Sequence, residues 1–167
     1  MINNKFNLNF FLNETCKDAM NIHEFIDSIK VSFEDVEYSG KYGFTEGVSR
    51  IFLRELNKLD VCKRPIHCSD LKREVFHIKT KDACWENERH LMFKVINLIT
   101  RKNMFILKDW SEANPLCKDT QTAIHDRFVQ LQIACIGPYD NEVEQREFNK
   151  IIAKVAKATA IDKKMTH

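Results

Sequence analysis

Two short alternating runs, Arg64-Pro65-Ile66-His67-Cys68-Ser69 and Glu74-Val75-Phe76-His77-Ile78-Lys79, constrain this chain more than any other stretch. Period-two alternation marks a half-buried strand, and Ser69-Asp70 opens the turn chemistry between the runs. They predict an antiparallel hairpin in which Ile66 pairs with Ile78 and Cys68 with Phe76 on an apolar side. The same register sets His67 opposite His77 on the outer side. The segments before and after read as helical, so this hairpin is expected to be the only substantial sheet.

Four Gly, three Pro and twelve Phe in 167 residues mean few tight turns and aromatic-rich packing, which favours a mainly helical α+β fold over a sandwich or barrel. No apolar run approaches the length of a bilayer span, so no membrane association is expected. Residues 1–11 lack the positive start and small-residue cleavage site of a signal peptide. The six scattered cysteines are then expected to be reduced, in a protein that is intracellular and not secreted.

Along the chain, residues 1–12 set Phe and Leu among asparagines and read as an edge strand or as a segment that docks on a partner. Asn21 caps a helix carrying Ile22, Phe25, Ile26 and Ile29, and Ser32 with Asp35 forms a capping box for a second helix to about Tyr38. Two glycines make 39–43 a loop. Thr45 caps a third helix with Val48, Ile51, Phe52, Leu56 and Leu59 in its stripe. After the hairpin, Trp85 opens a longer helix to about Asn103, and residues 105–110 continue it or form a separate turn before the Asn114-Pro115 stop. Residues 111–120 read as a linker, 122–136 as a helix ended by Gly137-Pro138, and Asn141 to about Ile161 as a last helix. Three helices, a hairpin and a further helix is the order of a winged-helix module. The expected division is an N-terminal segment 1–20, a winged-helix-like domain 21–110 containing the hairpin 64–79, and a C-terminal helical extension 111–167 packed on it.

Net charge is only +2, so any nucleic-acid argument rests on local clustering. Between Val61 and Lys81 six Lys/Arg face two acids, a density suited to neutralising phosphates. The candidate contacts are Lys63, Arg64, Lys72, Arg73 and Lys79, with Arg50 and Arg54 added from the third helix. Glu46 and Glu55 on that helix favour phosphate contact over base reading. Cys62, His67, Cys68, His77 and Cys84 fall within 23 positions, yet no Cys-x-x-Cys occurs and the register turns His67 and Cys68 to opposite faces. No metal or other cofactor is therefore expected. No Gly-rich phosphate loop, His-Glu-x-x-His or Gly-x-Ser-x-Gly is present, so the chain is expected not to be an enzyme.

The run Phe11 to Asn21, the segment Gly47 to Phe52, the hairpin Lys63 to Lys79 and the stretch Trp110 to Pro115 together resemble an uncharacterised module of giant, nucleocytoplasmic large DNA virus proteins. The resemblance covers about residues 10–160. Its relatives include proteins that carry the module behind DNA-binding domains of the KilA-N type. It implies an intracellular viral protein near nucleic acid, in the host cytoplasm, the viral factory or the virion, and it supplies no activity and no functional residues. A different expectation is a protein-interaction or virion-assembly module, meeting viral proteins or a second copy through the Phe-rich N-terminus and the amphipathic C-terminal helix.

Overall fold

A computed structural model describes residues 5–164. It is α+β and mainly helical, with seven α-helices and one three-stranded antiparallel sheet. After α1 (Leu8–Phe10) and a π-helical turn Phe11–Thr15, the Asn21–Glu24 capping box opens α2 (Ile22–Ser28). Asp35 caps α3 (Phe33–Tyr42) by accepting from the Ser32 backbone N–H at 3.0 Å. The expected loop at 39–43 is instead the last turn of α3. Gly40 stays helical because α6 presses against it there: an added Cβ would lie 2.4 Å from Leu131 Cδ2. The break falls at Gly43, whose φ of 94° lies in the left-handed region. Thr45 is accordingly inside the next helix and not its cap.

That helix, α4 (Phe44–Asn57), buries Val48, Ile51, Phe52 and Leu56 completely. It packs on α3, α5, α6 and α7 and forms the axis of the molecule. A winged-helix reading needs its third helix on an open face, whereas this one is enclosed.

The hairpin forms in the expected register, β1 (Ile66–Asp70) against β2 (Val75–Lys79), with Ile66 opposite Ile78, His67 opposite His77 and Cys68 opposite Phe76. It is not alone. Trp85, expected to begin a helix, lies in β3 (Trp85–Glu86), paired with Lys79 across β2–β3. On the other edge Ala160 bridges Cys68 in parallel, and the Ile161 N–H donates to the Cys68 carbonyl at 2.9 Å. Both edges of the hairpin are thereby partly paired, at Cys68 on β1 and at Ile78 and Lys79 on β2.

α5 (Arg89–Ala113) runs unbroken through residues 105–110 and into the expected linker, until Asn114-Pro115 stops it. α6 (Ala123–Ile136) is capped by Thr122 and ended by Gly137, and α7 (Asn141–Thr159) is capped by Asp140. The inner face of the sheet (Ile66, Cys68, Phe76, Ile78) meets α2, α4, α5 and α7 in the main core, to which α7 gives Phe148, Ile151, Ile152 and Val155. Each such fully buried Ile, Val or Phe side chain contributes about 1.5–3 kcal/mol relative to exposure. A second cluster joins α3, α5 and α6 through Val36, Leu107, Trp110, Leu131 and Cys135.

The outer face of the sheet is covered as well. Phe11, Leu12, Cys16 and Ala19 bury themselves there against Trp85. The N-terminal residues 8–19 are therefore neither an edge strand nor a free docking segment, because they seal the chain's own sheet. Phe10 remains exposed. Residues 1–4 of the expected edge strand lie outside the described residues. No helix among the described residues is long and apolar enough to cross a membrane.

Candidate nucleic-acid interface

The tip between β1 and β2 is shaped by its own residues. Asp70 Oδ1 accepts from the Arg73 backbone N–H at 2.9 Å, and Glu74 closes the turn at φ 53°. Leu71, Lys72 and Arg73 are exposed on it. Among the described residues Lys72 has no carboxylate partner, and Arg73 reaches Asp70 only at 3.9 Å with its side chain 82% exposed. Glu74 is drawn aside by Arg89 at 3.5 Å.

Lys63 is also exposed, but at the opposite end of β1. Five residues of strand separate it from the tip, roughly 17 Å at about 3.4 Å per residue. The cluster that is contiguous in sequence is thus divided in space.

The other four candidate cations are engaged within the fold. Arg64 donates to the Leu56 and Leu59 carbonyls at 3.1 and 3.3 Å and to the Ala158 carbonyl at 3.3 Å. Its guanidinium therefore caps the C-terminal ends of α4 and α7 together, where carbonyls lack helical partners and the helix dipole favours a cation. Lys79 is buried and donates from Nζ to the Lys17 and Ala19 carbonyls, each at 2.8 Å. Arg54 binds the buried Asp35 at 3.1 Å and the Lys30 carbonyl at 3.0 Å, and its hydrogen bond to Asp35 raises its pKa further. Arg50 pairs with Glu34 at 2.7 Å and lies 4.3 Å over the Tyr38 ring.

Sequence reasoning passed over Lys163 and Lys164. After the parallel bridge at Cys68–Ala160, Ile161 packs on the cluster over the outer face of the sheet. Lys163 Nζ there sits 5.9 Å from the Phe6 ring.

The histidines and cysteines weighed as metal ligands separate. His67 is sealed beneath Phe11 and Trp85, Cys68 faces the core, and Cys84 is exposed in the β2–β3 turn. Among the described residues no group of three or more His, Cys, Asp or Glu side chains is arranged to hold a metal ion.

Elsewhere a groove of about 550 Å³ lies between the α3–α4 turn and the end of α6, lined by Gly43, Phe44, Ile133, Gly137 and Tyr139. Tyr139 is 87% exposed and Ile133 69%. The apolar face of α7 and the Phe11–Leu12 pair, both expected as partner surfaces, are turned into the protein. No family model, curated protein or solved structure matches the chain.

Proposed function

We propose that the chain is a non-enzymatic nucleic-acid-associated module, of the giant-virus kind it resembles, that contacts phosphates through the hairpin tip. The observation carrying this reading is that Lys72 and Arg73 stand exposed on a turn shaped by Asp70, Lys72 without a carboxylate partner among the described residues and Arg73 no nearer than 3.9 Å to Asp70. Phosphate neutralisation needs cations that keep their charge accessible, and the tip pair does. Arg50, Arg54, Arg64 and Lys79 stand outside the interface in this reading. DNA is the favoured partner, and contact of Lys72 and Arg73 to about two phosphates gives a slope of log affinity against log salt of about −2.

Fluorescence anisotropy of the full chain with random duplex DNA and with single-stranded RNA across a salt series tests this. Lys72→Glu with Arg73→Glu should weaken binding at least about tenfold and flatten the slope. Lys63→Glu, at the far end of β1, should do much less. No binding at low salt, or equal losses from both ends, would overturn the assignment.

A second reading, a protein-binding module, rests on the exposed Tyr139 and Ile133 beside the apolar groove. Tyr139→Ser would abolish such a contact and leave nucleic-acid binding unchanged.

A further inference from the structure

The segment over the outer face of the sheet brings two thiols together. Cys16 ends the π-helical turn and is fully buried, while Cys62 is half-buried in the short 3₁₀ turn Val61–Lys63 before β1. Both belong to the cluster around Phe11, Leu12 and Trp85. Their backbones are clamped: the Met20 N–H donates to the Lys63 carbonyl at 3.0 Å, and Ala19 N–H closes the turn on the Cys16 carbonyl at 3.0 Å. Cys62 packs against the cluster that holds Cys16, and the Lys79 ammonium is fixed on the carbonyls of Lys17 and Ala19, which follow Cys16 in the chain.

We propose that Cys16 and Cys62 form an oxidant-responsive pair that closes to a disulfide when hydrogen peroxide reaches Cys62, locking the N-terminal segment onto the sheet. The roles follow from access. Cys62 is the more accessible of the two, half-buried where Cys16 is fully buried, and burial together with the neighbouring Cys62 pushes the Cys16 thiol up to about 12, so peroxide reacts first at Cys62 and Cys16 resolves the product. In the first step the Cys62 thiolate attacks a peroxide oxygen: an S–O bond forms, the O–O bond breaks, and hydroxide leaves and is protonated to water. In the second, Cys16 attacks the sulfenic sulfur: the S–S bond forms, the S–O bond breaks, and the departing hydroxide takes the Cys16 proton as a second water. Two thiols and one peroxide yield one disulfide and two waters. The bond closes the loop from residue 16 to residue 62 and removes open conformations of the unfolded chain. With both thiols free the segment is held by packing and by the hydrogen bonds from Lys79 and Trp85; the disulfide adds a covalent hold to these.

The test is oxidation of the whole chain with equimolar hydrogen peroxide, alkylation in denaturant and peptide mapping without reduction. The expected product is a Cys16–Cys62 cross-linked peptide, with Cys68, Cys117 and Cys135 alkylated, and amide exchange within residues 8–19 slowed at least about tenfold. Cys84→Ser, which removes the exposed competitor, should leave that link intact. Cys62→Ser should leave Cys16 alkylated after the same treatment. Alkylation of both Cys16 and Cys62 under conditions that oxidise Cys84, or a link from Cys16 to any other cysteine, would overturn the proposal.

Discussion

Acid should act first at His67. Its ring is 1% exposed, held between Phe11 at 5.0 Å and Trp85 at 5.6 Å, and its Nε2 has no hydrogen-bond partner. Burial, followed by the Arg64 guanidinium and His77, pushes its pKa down from 6.5 to about 4, against a hydrogen bond with the Arg64 backbone. Because the folded value lies below the unfolded one, the unfolded chain binds this proton more tightly. The neutral ring's contribution to stability is whole above about pH 6.5 and is lost progressively as pH falls toward 4. At about 1.36 kcal/mol for each pH unit of that gap, the loss reaches about 3 kcal/mol. Urea unfolding followed by tryptophan fluorescence, between about pH 7 and about pH 4.5, should show the native protein losing about 2 kcal/mol more than His67→Phe, which cannot titrate. His77, also depressed by burial, is present in both proteins. Parallel stability curves for the two would refute the reasoning, because the sealed imidazole would then not resist protonation.

Three further perturbations separate packing from charge. Gly47→Ala ought to raise helix propensity by about 1 kcal/mol, but the new Cβ falls 2.0 Å from Ser39 Oγ and 3.1 Å from Ser39 Cα. A net loss of about 2 kcal/mol in thermal unfolding is expected, and any gain would refute the α3–α4 contact. Lys79→Met strands the Lys17 and Ala19 carbonyls; it should cost about 2–3 kcal/mol and speed proteolytic cleavage within residues 5–20, whereas an unchanged cleavage rate would deny it the clamp role. Asp35→Asn, at a carboxylate only 1% exposed and bound to Arg54, should cost about 2–3 kcal/mol, while Glu34→Gln, at a pair with a 78% exposed carboxylate, should cost less than about 1 kcal/mol in the same denaturation assay.

What could be read from the chain alone was what neighbouring residues decide. The hairpin register follows from alternation within two short runs, and the caps at Asn21 and Ser32 each involve a side chain and a backbone group three residues apart. What escaped depends on distant partners. Gly40 looks like a helix breaker until Leu131, ninety-one positions away, is seen to require its missing side chain. Trp85 looks like a helix start, yet its indole N–H donates to the Leu12 carbonyl and its ring leans on His67, which holds it extended beside β2. The polar pair His67 and His77 suggested an outer face. It became a buried one because Phe11 and Leu12, more than fifty positions earlier, return to cover it.

The same non-locality governs the basic cluster, and it changes what charge counting means here. A lysine or arginine is available to a phosphate only when the fold asks nothing of its charge. Arg64 lies where two helices end side by side, and its withdrawal would take a donor from the Leu56, Leu59 and Ala158 carbonyls at once. Lys79 lies where the covering segment turns its carbonyls inward. Their positive charges therefore hold the architecture that displays the hairpin. Lys72 and Arg73, set on a turn built by Asp70, have no such duty. Loss of nucleic-acid binding in an Arg64 or Lys79 variant would accordingly come with a lowered unfolding midpoint, whereas loss in a Lys72 or Arg73 variant would leave that midpoint unchanged. Only the second pattern identifies a contact residue.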